Sequence, residues 1–250
     1  QMCIRDRVKV GDGNEISLHE QTNYPFEETI RFMVNTPKAV SFPFYLRIPS
    51  WTEGATIFVN GKKVAANPEA GQYACINREW KDNDQVEIQL PMQLSMRTWQ
   101  VNKNSVSVDY GPLTMSLKID EDYVKKDSRA TAIGDSKWQE GADASQWPTY
   151  EIYAKTPWNY ALVLGKNEPL KDFKVVHKEW PADNFPFTVA STPIEVKAIG
   201  RKVPSWVIDQ YDLCSELPEM DAPKGEKEEI TLIPMGAARL RVSAFPNTRE

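Results

Sequence analysis

An all-β sandwich fold, in two units, is what this sequence predicts. Three observations carry the prediction. Runs of alternating apolar and polar residues recur at spacings of about 8–14 residues. Eighteen prolines punctuate the 250 residues, and proline is kept out of helix interiors and central strands. No stretch repeats its apolar residues with the 3.6 period of an amphipathic helix. The texture changes near residue 116, which suggests two such units.

Taken in order, residues 8–10 read as a short strand closed by the Gly11-Asp12-Gly13-Asn14 turn. In residues 15–20, Ile16 and Leu18 share one face, and in the next strand Ile30, Phe32 and Val34 alternate with Thr29, Arg31 and Met33. Phe44, Leu46 and Ile48 alternate with Tyr45 and Arg47 until Pro49, which cannot donate to a sheet ladder, ends the run. Ile57 and Val59 open another strand. Asn60-Gly61 closes it, because both residues tolerate the positive φ that a two-residue type I′ turn needs. Residues 73–80 and 85–92 read as a further pair joined by Lys81-Asp82-Asn83-Asp84, with Gln85, Glu87 and Gln89 toward water. By this phase Leu46, Ile48, Ile57, Val59, Val86, Ile88 and Leu90 all belong in one interface between two sheets.

Val106, Val108 and Tyr110 keep the alternation up to Gly111-Pro112, and Met115, Leu117 and Ile119 resume it. Residues 120–148 are polar and read as a connection with little regular structure or a short helical turn. Strands return in YEIYAKTPWNYALVL, FKVVHKEW and IEVKAIGRKVPSWVI, and LPEMDAPKGEKEE is a solvated loop. The last strands are EEITLIP and ARLRVSAF, where Leu240, Val242 and Ala244 alternate with Arg239, Arg241 and Ser243.

The composition, 41% hydrophobic and 26% charged, fits a soluble globular chain. A net charge of −5 with both signs interspersed leaves no basic stripe, which argues against nucleic acid or an anionic membrane as partner. The longest apolar runs fall far below the roughly 20 residues that span a bilayer. The opening QMCIRDR back-translates to a sequence resembling a transposon end used in sequencing libraries, so residues 1–7 are expected to be foreign and to pack against nothing. Cys3 goes with them. Cys75 then sits at a plausible inward strand position and Cys214 in a loop, with a bridge between them left open.

Chemistry is sparse. Glu27-Glu28 and Glu228-Glu229 are adjacent pairs, and neighbours on a strand point to opposite faces, so neither can flank a glycosidic bond. Asp82-Asn83-Asp84 lacks the glycine and late glutamate of a calcium loop. His19 and His177 are the two histidines, and no nucleophile elbow, phosphate loop or metal-ligand spacing is present. No catalytic or metal-binding residue is therefore assigned. Eight tryptophans are the suggestive feature, since exposed aromatic faces can stack on sugar rings while buried ones fill a core. Trp158 and Tyr160, in TPWNYAL, are the candidate carbohydrate contacts.

Four segments in order, FPFYLRIPSWTEGATIFVNGKKV, REWKDNDQVEIQLPM, DYGPLTMSL and ITLIPMGAARLRVSAFP, resemble the C-terminal β-sandwich region of glycoside hydrolase family 127-type proteins, the β-L-arabinofuranosidase-like enzymes. The resemblance covers most of residues 15–119 and 150–246. It implies a parent glycosidase whose catalytic α/α barrel is absent here, followed by two antiparallel β-sandwich domains with the second inserted into the first: 8–115, completed by 230–246, and 116–229. The barrel is then the partner, and arabinose-containing plant-type glycans are the parent's substrates. It also implies zinc, a cysteine nucleophile and glutamates, all in that barrel. Cys75 and Cys214 match sandwich segments, so no catalytic role passes to them and no cofactor is expected in this chain. The resemblance points to a bacterial, periplasmic or secreted parent. Two functions follow: an accessory part that braces the barrel and is inert alone, or a carbohydrate-binding module.

Overall fold

The computed structural model describes residues 2–11, 13–64, 69–127, 143–210 and 213–250. Its strands are β1 (Met2–Val10), β2 (Asn14–Thr22), β3 (Thr29–Asn35), β4 (Val40–Arg47), β5 (Thr56–Val59), β6 (Lys62–Lys63), β7 (Tyr73–Trp80), β8 (Asp84–Gln89) and β9 (Leu94–Trp99). They continue with β10 (Ser105–Tyr110), β11 (Leu113–Leu117), β12 (Glu121–Lys126), β13 (Thr149–Ala154), β14 (Tyr160–Leu164), β15 (Lys174–His177), β16 (Ile194–Lys202), β17 (Lys227–Pro234) and β18 (Asn247–Arg249). Two single turns of 3₁₀ helix, Ala144–Gln146 and Met235–Ala237, are the helical elements among the described residues. The chain forms two compact units: Gln1–Ser95 with Val108–Leu113, and Met96–Ser107 with Thr114–Glu250.

The first unit packs a six-stranded sheet, in the order β1-β2-β3-β8-β5-β6, against the two-stranded sheet β4-β7. Period two does the sorting. β4 alternates buried and exposed along its whole length, and Phe42, Phe44 and Leu46 meet Val34, Ile57, Val59, Val86 and Ile88 in one core. All seven residues expected at this interface are buried there, while Tyr45 and Arg47 face out. Trp80 lies beneath them with no exposed surface and donates its indole N–H to the Phe42 carbonyl at 2.9 Å. Pro43 is tolerated within β4 because the two-stranded layer consists of edges.

Three local readings change. β7 and β8 are not a pair: β7 hydrogen-bonds to β4, β8 to β3 and β5, and residues 81–83 cross from one sheet to the other. Buried Asp84 holds that crossing by accepting from the Lys81 amide at 2.8 Å and the Asn60 amide group at 2.8 Å. Cys75 points outward, because its neighbours Ala74 and Ile76 pair with Leu46 and Phe44 on the inner face. Residues 2–7, expected to pack against nothing, run along β2 with Ile4 opposite Glu20. An edge ladder uses backbone groups alone, so any extended segment can occupy it.

The second unit is built on an eight-stranded sheet in the order β18-β14-β16-β17-β11-β10-β9, with β15 added on β16, and a two-stranded ribbon, β12-β13. β14 and β18 run parallel; β16 is antiparallel to β14, β15 and β17, and β11 is antiparallel to β17. Ile230–Pro234, expected to complete the first sandwich, pairs instead with β16 and β11, and β11 straddles the expected boundary at residue 116. Alternation marks a strand but not its partner. Two further differences have the same root. Residues 121–126, read as irregular or a helical turn, form β12, and ARLRVSAF forms no strand. Three of its amides are met by side chains: Arg239 and Leu240 donate to Glu121, and Val242 donates to the Ser116 hydroxyl. The part of the 120–148 connection at 128–142 lies outside the described residues.

Candidate binding surfaces

The pair suggested by the sequence does not form an open aromatic platform. Tyr160 is buried at 5% exposure in β14, so its ring offers no face to a sugar. Burial pushes its phenol above the ordinary value, with Glu228 adding to the shift. Trp158 is half-buried and stands edge-on to Trp206, with ring centroids 5.0 Å apart. It lines an apolar pocket of about 260 Å3 together with Ile152, Ile208, Cys214 and Val242. Cys214 carries a thiol raised by burial, and both it and Cys75 are free. No three His, Cys, Asp or Glu side chains converge to hold a metal ion among the described residues.

A larger groove, about 390 Å3, runs over the outer face of the six-stranded sheet. The register builds it row by row. Gln21 lies opposite Arg31, Arg31 opposite Glu87, and Glu87 opposite Phe58; the next row brings His19, Met33 and Gln85 together. These residues alternate with the core set on each strand, so the same period that buries Ile57, Val59 and Val86 aims Phe58, Gln85 and Glu87 into the groove. The polar groups are tied in a chain. Arg31 Nε donates to Glu87 at 2.8 Å, Gln89 donates to the other Glu87 oxygen at 2.8 Å, and Thr56 donates to the Gln89 carbonyl at 3.3 Å. The sequence identified Gln85, Glu87 and Gln89 as water-facing. Pairing partners more than twenty residues away, which alternation does not encode, make them a site with Arg31 and Phe58.

The outer face of β4-β7 is different. Tyr45 is 60% and Tyr73 66% exposed, and the register sets Arg47 opposite Tyr73 and Tyr45 opposite Cys75. A side-chain hydrogen bond with Cys75 holds the Tyr45 phenol above its usual value. In the second unit, three lysines gather on one carboxylate. Glu195 is buried, and one of its oxygens lies 3.0 Å from Lys118 Nζ and 3.1 Å from Lys178 Nζ, with Lys197 3.6 Å from the other. Burial alone would raise its carboxyl; hydrogen bonds from Lys118 and Lys178 outweigh that and hold it below the ordinary 4.5.

The fold is similar to part of several solved glycoside hydrolase structures. Residues 2–92 match the family described as beta-L-arabinofuranosidase, GH127 middle domain. A solved structure titled glycoside hydrolase is similar over 100% of this chain and 35% of its own length, at 22% identity and a TM-score of 0.61. The GH127 beta-L-arabinofuranosidase from Geobacillus stearothermophilus T6 is similar over 98% of this chain and 32% of its own, at 22% identity and a TM-score of 0.58. A third, titled a GH127 beta-arabinofuranosidase, gives 19% identity, 98% and 34% coverage, and a TM-score of 0.59. The chain thus spans about a third of the length of the solved structures it matches. No curated protein sequence matches it. In sequence over residues 2–92 and in fold throughout, the chain resembles the β-rich region of GH127 proteins.

Proposed function

We propose that this chain is the accessory β-domain part of a GH127-type glycoside hydrolase, and that it braces the α/α barrel that carries the chemistry, with no glycosidase activity of its own. The observation that carries this reading is the coverage: essentially the whole chain aligns onto a third of proteins titled as glycoside hydrolases. The exposed Tyr45–Tyr73 face supports bracing, since tyrosine brings a large apolar surface and a polar tip to an interface. Zinc and the arabinose-containing substrate then belong to the parent's barrel. The carbohydrate-module reading through Trp158 and Tyr160 is less well supported, because one ring is buried and the other packs edge-on to Trp206.

The test is to express the chain with the upstream reading frame of its source DNA. Replacing Tyr45 and Tyr73 with serine should lower the melting temperature of the longer protein while leaving that of the 250-residue chain unchanged. Equal effects in both would remove the bracing role.

A further inference from the structure

We propose that the outer face of the six-stranded sheet in the first unit binds a neutral oligosaccharide. This goes beyond bracing and stands on different residues. The groove of about 390 Å3 falls within the usual range for small-ligand sites. Its polar lining is made of planar groups. Gln21, Gln85 and Gln89 each offer a donor and an acceptor side by side, Glu87 offers two acceptors and Arg31 a fan of donors. That is the complement of neighbouring sugar hydroxyls, each of which both gives and takes a hydrogen bond. Phe58 and Met33 supply an apolar patch for the C–H face of a ring.

Charge selects among ligands. Arg31 and Glu87 neutralise one another at 2.8 Å, so the centre of the groove carries no net charge to recruit an anion or a cation. Rigidity favours binding as well. Gln89 is held between Glu87 and Thr56, which fixes its amide orientation before any ligand arrives and removes part of the ordering cost. Arg31 lines the groove and reaches Glu87 through Nε, which leaves its terminal nitrogens as further donors. All of these groups sit on strands rather than loops.

Affinity electrophoresis of the 250-residue chain tests this, with gels containing linear arabinan, arabinoxylan, xyloglucan or the polyanion polygalacturonate. Retardation is expected in at least one neutral gel, weakened about tenfold by Phe58→Ala and comparably by the surface change Arg31→Gln. Tyr45→Ala, on the opposite layer, should leave it unchanged. Melting curves establish that each variant is folded, and Arg31→Gln decides the matter should Phe58→Ala prove unstable. Retardation in no gel, in polygalacturonate alone, or unaltered by both variants would overturn the proposal. So would self-association in sedimentation velocity that Phe58→Ala abolishes, since the occupant would then be a second copy of the chain.

Discussion

Glu195 shows how a single buried carboxylate can set a pH limit. It is more stable ionised in the folded protein than in the unfolded chain, because Lys118 and Lys178 donate to it. Its contribution is therefore complete above the unfolded value near 4.5 and is lost as pH falls through the lower folded value. Urea melts should show the native protein losing stability below about pH 4.5 more steeply than Glu195→Gln. At pH 7 that substitution should cost about 1–2 kcal/mol, less than a fully buried pair would, because the lysines keep a third of their surface in water. A flat difference between the two proteins across pH 3–7 would show that the cluster contributes nothing through ionisation. In the first unit, Ile88→Ala should cost about 2–5 kcal/mol, since Ile88 is 2% exposed within the sandwich core. Arg47→Ala, one face away, should stay within about 0.5 kcal/mol in the same melts.

At the scale of elements, turns and alternation were legible, and partners were not. The Asn60-Gly61 hairpin has φ of 50° and 75°, the type I′ geometry its sequence called for. A methyl group at Gly61 would meet nothing within 4 Å, so Gly61→Ala should cost about 1 kcal/mol through backbone strain alone. Gly61→Asn, which tolerates left-handed backbone better, should recover part of that in a thermal melt. The core set from Leu46 to Leu90 could be read because each strand's phase is local. What failed was non-local. Residues 73–80 and 85–92 looked like a pair because they are adjacent in sequence, yet Trp80 and Asp84 pin the link between two layers. ARLRVSAF had a strand's pattern, but Glu121 and Ser116 took its amides from more than a hundred residues away. The groove was hidden for the same reason, since Arg31, Phe58 and Glu87 meet only through β3–β8 and β5–β8 pairing.

For the molecule as a whole, the resemblance reached further than the chemistry. The motifs pointed to GH127-type proteins, and the match over residues 2–92 is to that family, as its middle domain rather than its C-terminal region. The site residues could not be named in the same way, because aromatic content does not say which rings are buried. The purified chain should release no 4-nitrophenol from a β-L-arabinofuranoside, with or without zinc. Activity that a substitution within the chain abolishes would place a catalytic centre in these β-units. Deleting residues 1–7 should leave the melting temperature of the rest within about 2 °C, as expected for an edge segment held by backbone pairing and in which the exposed Arg7–Glu15 ion pair is long, at 3.9 Å.

The opposite hands of the two terminal strands give the chain a mechanical polarity. β1 is antiparallel to β2 and begins at the open end of its hairpin, Met2 beside Thr22. A pull on the N-terminus loads those bonds one at a time, like a zip. β18 lies parallel to β14, and Glu250 beyond it is tied to Arg201 at 3.0 Å and to Lys227 at 2.6 Å. A pull on that end loads the short ladder and both ion pairs together, in shear. Stretched between its ends, the chain should yield first at the N-terminal hairpin, at low force and in small steps, while the C-terminal strand holds to a higher force and lets go at once.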